Sequence, residues 1–288
     1  MQPAAIGLIL LSAFFHSVWN LLAKRSADPL AFIFSFHLIS IVIYGVPAVV
    51  ALRAHPFPLA GLPFVLISTI FEISYYLSLA EAYRHGALAL TYPIARGTGL
   101  FLVAILALPI YGERPSVAGS IGIASIFVAL AIIGADSLRF QRSSGKPAAR
   151  RGILFAMAAG CGIASYSLTD KAGVGHVYPL VYVYSIFFLS ALALAPLVLL
   201  RRRASFIQEW RVNRSAVLLG GVLPFGVYFI VLAALRLSNV SYVVPLREVS
   251  ILFGTLLGVV VLHERLRRWQ AIASALIVAG VLGIALGG

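Results

Sequence analysis

Four ionisable side chains stand deep inside long apolar runs of this sequence: Glu72, Arg96, Arg247 and Glu248. An ionisable group at the centre of a bilayer costs roughly 2.5–3.5 kcal/mol on insertion scales, so it faces protein or water and has a task there. The four charges balance. They can join helices as buried ion pairs, or they can meet a zwitterion, with a carboxylate at Arg and an ammonium at Glu. Arginine suits the first contact because its planar fork gives a carboxylate two parallel hydrogen bonds. Spacing adds neighbours to these charges. Glu72, Tyr75 and Tyr76 stand at i, i+3 and i+4, Tyr92 and Arg96 at i and i+4, and His16, Trp19 and Asn20 form a similar helical face. Each cluster joins a polar tip to an aromatic body, as a cavity for a small organic ligand would; the alternative for the tyrosines is ordinary helix packing.

Other chemistries find little support. Glu72, and after it His16, are the candidates for carrying a proton, although a buried histidine is more often simply packed and hydrogen-bonded. The single cysteine, Cys161, allows no intrachain disulfide and no multi-cysteine metal site. There are three aspartates, Asp28, Asp136 and Asp170, and no H-E-x-x-H. Gly145-Lys146 runs into Pro147 without the upstream glycine of a phosphate-binding loop. Neither a filter-like loop nor an acidic ring marks a channel. The expectation is a non-enzyme without metal or cofactor, a membrane-embedded enzyme being the alternative from another class.

The elements that must hold these residues follow from composition. The chain has 288 residues, 61% hydrophobic and 11% charged, with a mean hydropathy of +1.01. Soluble domains run at about 45–50% apolar and about 25% charged, so this is a polytopic membrane protein. The apolar runs are continuous and not alternating, which excludes a β-barrel. Ten helical spans are expected, near 4–23, 30–52, 61–83, 86–108, 116–134, 152–170, 178–200, 215–235, 239–262 and 267–286. The first lacks the basic flank of a secretory signal. A net charge of +13 could suggest nucleic acid, but the basic residues sit in patches between spans, so the partner is the bilayer. Sixteen of the 22 Lys and Arg fall in odd-numbered connections and four in even ones. The positive-inside rule then puts both termini on the non-cytoplasmic side. Tyr182, Tyr184, Tyr242, Trp210 and Trp269 fall near span ends and read as an interfacial aromatic belt.

The chain also repeats itself. At an offset of 152, Tyr76, Ala82, Arg84, Pro93, Leu100 and Phe101 match Tyr228, Ala234, Arg236, Pro245, Leu252 and Phe253. This divides the chain into a first five-helix repeat (1–138), a basic cytoplasmic linker (139–151) and a second repeat (152–288). Five spans is odd, so the second copy enters the membrane from the other side, as in carriers with a midplane substrate site. Pro93 and Pro245 occupy matching places and are candidate hinges, the alternative being static bends. Gly254 and Gly258 form a G-x-x-x-G that permits close helix approach.

The two five-helix halves, the segment Thr91-Tyr92-Pro93-Ile94-Ala95-Arg96-Gly97 and the Gly112-Glu113-Arg114 turn resemble the drug/metabolite transporter superfamily, in particular its EamA-type ten-helix branch. The second half departs from that pattern, with His263-Glu264 where Gly-Glu is usual. The resemblance implies an inner-membrane secondary transporter that exports small organic solutes by alternating access around a central cavity, acting as a monomer or dimer. Amino acids are the first expectation for its substrate. A lipophilic-cation exporter and a phosphorylated-metabolite exchanger are the rivals. The first would want an intramembrane Glu without a partner, the second an excess of central Lys and Arg.

Overall fold

A computed structural model describes residues 3–24, 26–85, 88–143, 150–253, 256 and 268–287. All regular structure among them is helical. The chain runs through α1 (Pro3–Lys24), α2 (Pro29–Ala54), a short 3₁₀ turn (Leu59–Gly61), α3 (Leu62–His85), α4 (Leu88–Tyr111) and α5 (Val117–Ser143). It continues through α6 (Arg150–His176), α7 (Pro179–Arg201), α8 (Arg203–Val212), α9 (Arg214–Leu237), α10 (Val240–Arg247) and α11 (Arg268–Gly287). Apolar runs of this length can bury their backbone polar groups in hydrocarbon only by bonding them within a helix. Eight of these helices are long and apolar enough to cross a membrane, and the apolar part of α1 is the shorter segment Ile6–Trp19. The protein is a multi-pass, all-α membrane protein.

Two expected elements differ. The basic stretch after α7, expected as a loop, folds into α8. Its Glu209 is fully buried and accepts from the Ala27 and Asp28 amides and from Asn213 Nδ2, at 2.9 Å for the latter two. The expected ninth span is interrupted. α10 ends at Arg247, the chain turns at Glu248 and Val249, and it is helical again at 250–253. The Glu248, Val249 and Ile251 amides reach back three residues, at 2.9–3.2 Å, directly after Pro245. The donor that Pro245 lacks belongs to the turn before it, toward the Ser241 carbonyl, so the interruption follows the proline and is not its own missing bond. α4 shows no such interruption at its matching Pro93, whose side chain lies outside the described residues. The same is true of Gly254, Gly258, His263 and Glu264.

Packing follows the repeat. α3 lies against α6 as α1 lies against α9, and α2 against α9 as α7 against α3. α2 packs on α7 and α5 on α11, each pair joining an element to its own counterpart. The α5–α11 contact is close because it is lined with glycine: a Cβ on Gly280 would stand 2.7 Å from the Gly122 carbonyl oxygen. One end of the bundle carries residues 55–61, 112–116, 177–178 and 238–239; the other carries 26–28 and 202–213. They are called here the α6–α7 end and the α7–α8 end.

The Gly112-Glu113 turn has a definite task at the α6–α7 end. Gly112 takes φ +67°, which lets the chain leave α4 while the Glu113 amide returns to the Ala107 carbonyl at 3.4 Å. The Glu113 carboxylate then caps α10 of the other repeat, accepting from the Val240 and Ser241 amides at 3.0 and 2.9 Å.

Candidate functional site

Between the repeats lies a cavity of about 40 Å³, bordered by α1, α3, α4, α6, α7, α9 and α10. Of the ten residues singled out for substrate contact, seven line it: His16, Trp19, Glu72, Tyr75, Tyr76, Arg96 and Arg247. Glu248 stands beside it as the partner of Arg96, and Tyr92 lies under the Arg96 guanidinium, 5.8 Å from ring centroid to Cζ. Asn20 is on α1, but its side chain lies outside the described residues.

The charges are arranged unevenly. Arg96 Nε donates to Glu248 Oε2 at 3.1 Å, with both side chains almost fully buried. These two residues are 152 apart, the offset of the repeat, so each occupies the other's equivalent position. Among the described residues Arg96 Nη2 has no hydrogen-bond partner. Arg247, also buried, lines the cavity without an ion pair among those residues. Glu72 meets hydroxyls: Tyr76 donates to it at 3.1 Å and Ser190 at 3.3 Å. Among the described residues the balance of charge seen in the sequence therefore gives one ion pair of these four side chains, Arg96–Glu248, and Glu72 is not part of it. Trp19 Nε1 donates to His16 Nδ1 at 3.1 Å, and the two rings meet edge-on at 5.3 Å.

An aromatic wall surrounds these groups. Tyr75 meets Tyr166 edge-on at 5.8 Å, Tyr166 meets Tyr228 at 6.1 Å, and Phe187 tilts against Tyr228 at 6.3 Å. Tyr166, Phe187 and Tyr228 were not singled out for the cavity. The repeat carried the signal for two of them, since Tyr228 matches Tyr76 at offset 152 and Tyr166 matches His16 at offset 150.

Asp170 was missed altogether. It is 1% exposed, and three hydroxyls donate to its carboxyl. Ser68 reaches Oδ1 at 2.6 Å, Tyr182 reaches the same oxygen at 3.1 Å, and Tyr228 reaches Oδ2. Tyr182, expected at the membrane interface, is thus fully buried: its ring lies against Gly173, where a Cβ would stand within 2.5 Å of it, and its hydroxyl lies 3.3 Å from the Phe64 carbonyl oxygen. Tyr242 departs likewise: it is buried, and its hydroxyl accepts from the Ser116 amide at 3.0 Å. Over the first two helices of each half the register is 150, which pairs His16-Ser17 with Tyr166-Ser167 and Pro29-Leu30 with Pro179-Leu180. In that register Asp170 falls on Asn20.

No curated protein sequence matches the chain. A solved structure, described only as the crystal structure of a protein, covers 98% of this chain and 95% of its own at a TM-score of 0.74 and 20% identity, a likeness of fold. Residues 150–286 match the family model of the EamA-like transporter family. The second half of the chain is thus an EamA-like transporter unit of the drug/metabolite transporter superfamily.

Proposed function

We propose that this protein is a secondary carrier of the inner membrane that exports small solutes bearing both a carboxylate and an ammonium, amino acids before others. The observation that carries the reading is the division of charge in the central cavity. Among the described residues Arg96 Nη2 has no hydrogen-bond partner, Arg247 has no ion pair, and Glu72 faces the same space with only hydroxyl donors. Two guanidinium groups can take a carboxylate by charge-assisted bonds and Glu72 can take an ammonium, each end recovering what it lost on leaving water. The aromatic wall supplies apolar surface for the rest of the molecule. A cavity of about 40 Å³ holds little more than a water or two, so a solute of this kind enters only when one end of the bundle opens.

Glu72 also favours a second reading. A carboxylate without an ion pair among the described residues, next to aromatic rings, is suited to an organic cation. One transport panel in proteoliposomes separates the two, comparing free amino acids, the same compounds with the carboxylate blocked as an amide, cationic dyes and phosphorylated sugars. Uptake of amino acids that falls at least about ten-fold on blocking the carboxylate is expected, the size of losing one charge-assisted hydrogen bond. Transport of dyes and amides but not of free amino acids would overturn the amino-acid reading in favour of cations.

A further inference from the structure

The two buried polar centres between the repeats differ in how they relate to the repeat itself. Arg96 and Glu248 are each other's counterparts, so exchanging the two halves returns the same pair. Asp170 belongs to the other kind. Its counterpart is Asn20, and the counterparts of Ser68, Tyr182 and Tyr228 are Gly220, Phe32 and Tyr76. A carrier built from inverted repeats changes sides largely by giving each half the arrangement the other had. A contact between counterparts survives that exchange, whereas a contact between unlike positions must be broken and replaced.

We infer that Asp170 is the latch of a gate at the α6–α7 end of the cavity, and that the Arg96–Glu248 pair is the fixed pivot about which the halves exchange. The Asp170 carboxyl draws Tyr182 and Tyr228 of the second repeat together and pins them to α3 of the first through Ser68. Two further bonds cross between the repeats at the same level. The Tyr182 hydroxyl lies 3.3 Å from the Phe64 carbonyl oxygen, and the Tyr111 hydroxyl donates to the Leu168 carbonyl. Opening this end parts α3 and α4 from α6 and α7, and so strips the buried carboxyl of a donor. Among the described residues the equivalent place on the other side shows no such cluster, the Asn20 side chain lying outside them, and the α7–α8 end is tied instead at its rim, by Glu209 and Arg202 of the second repeat to residues 27–28 of the first. Gly220 has no side chain to donate, and Phe32 fills the space over it, a Cβ there meeting the ring at 2.8 Å. The latch therefore biases the carrier toward states closed at the α6–α7 end.

This inference rests on the alternating-access reading above, but its test needs no substrate. Val227, on the cavity wall, is replaced by cysteine in a full-length Cys161→Ser chain, and membrane-impermeant thiol reagents are applied to either face of oriented vesicles. Asp170→Asn should speed labelling from the α6–α7 face by about ten-fold, as expected for an equilibrium that loses one charge-assisted hydrogen bond, and should leave the other face unchanged or slower. Ser68→Ala, which cuts only the bond between repeats, should act in the same direction and decides the matter where Asp170→Asn fails to fold. Rates unchanged from both faces, or raised equally from both, would overturn the latch. A carrier that labels as expected yet ignores amino acids would instead overturn the substrate reading and leave the latch standing.

Discussion

On one side of the central cavity a carboxyl gathers three hydroxyls; at the matching place in the other half a phenyl ring lies over a glycine. The helices that carry these two sets pack alike, α3 on α6 and α1 on α9, so the backbone plan is shared and the chemistry is not. Hydrogen bonds to a buried carboxyl demand geometry and fail abruptly when a donor leaves, while apolar contact weakens gradually and tolerates sliding. A duplicated fold can thus make its two closures unequal in strength without changing how its helices meet.

The sharpest way to break this comparison is at the point where the halves coincide. Arg96→Met leaves Glu248 buried without its cation, and should cost about 3–5 kcal/mol of stability, read as loss of folded protein in detergent on heating. Because the two positions are equivalent, Arg96→Glu combined with Glu248→Arg should recover most of that loss. A double variant no better than either single one would show that the pair is tied to its local surroundings and not to the symmetry.

A smaller effect is expected where the halves differ. Gly220→Ala sets a methyl group against Phe32, and overpacking of this kind should cost about 1–3 kcal/mol in denaturant unfolding. In a Phe32→Leu background the penalty should shrink, since the ring that collides is gone. An equal penalty in both backgrounds would mean that the two residues are not in tension and that the apolar closure has been misread.

The least effect belongs to the α7–α8 end. There Arg202 bonds Asp28 Oδ2 at 2.8 Å, while Asp28 Oδ1 caps α2 through the Leu30 and Ala31 amides at 3.0 and 3.2 Å. Burial alone would raise the Asp28 carboxyl, but the Arg202 guanidinium and the two amides hold it below its ordinary value of 3.8. A carboxyl lowered on folding stabilises the protein above its ordinary pKa, and that contribution disappears as pH falls through the lowered value. Asp28→Asn keeps the cap and removes the ion pair, so it should cost below about 1 kcal/mol near neutral pH, and less in high salt. A larger loss, insensitive to salt, would move this contact into the same class as the buried pair.

How much of this was legible in the sequence depended on where helices end. The spans, the intramembrane charges and most of the cavity residues could be read, because continuous apolar runs and i, i+4 spacing survive an error of a few residues. Asp170 did not survive it. The sixth span was expected to stop at residue 170, which put this aspartate at the membrane surface; α6 continues to His176 and carries it more than a turn inside. Tyr182 was misplaced for the same reason, at the start of α7. Register between the halves, which is independent of boundaries, was the signal that would have found Asp170, since it falls on Asn20. α8 was illegible for another reason. Its sequence is arginine-rich and short, and what holds it is Glu209 reaching amides about 180 residues away in the chain, at Ala27 and Asp28.

The glycine-lined seam between α5 and α11 has the symmetry of an interface between subunits. It joins the last helix of one half to the last helix of the other, backbone against backbone, through Gly122 and Gly280. A contact of one surface with its own counterpart is what two identical subunits share across a two-fold axis. The seam has the form of a homodimer interface enclosed within a single polypeptide. Two copies of such a half, set in opposite orientations, would meet across this same surface. The carboxyl on one side and the phenyl ring on the other are a difference that two identical subunits could not show.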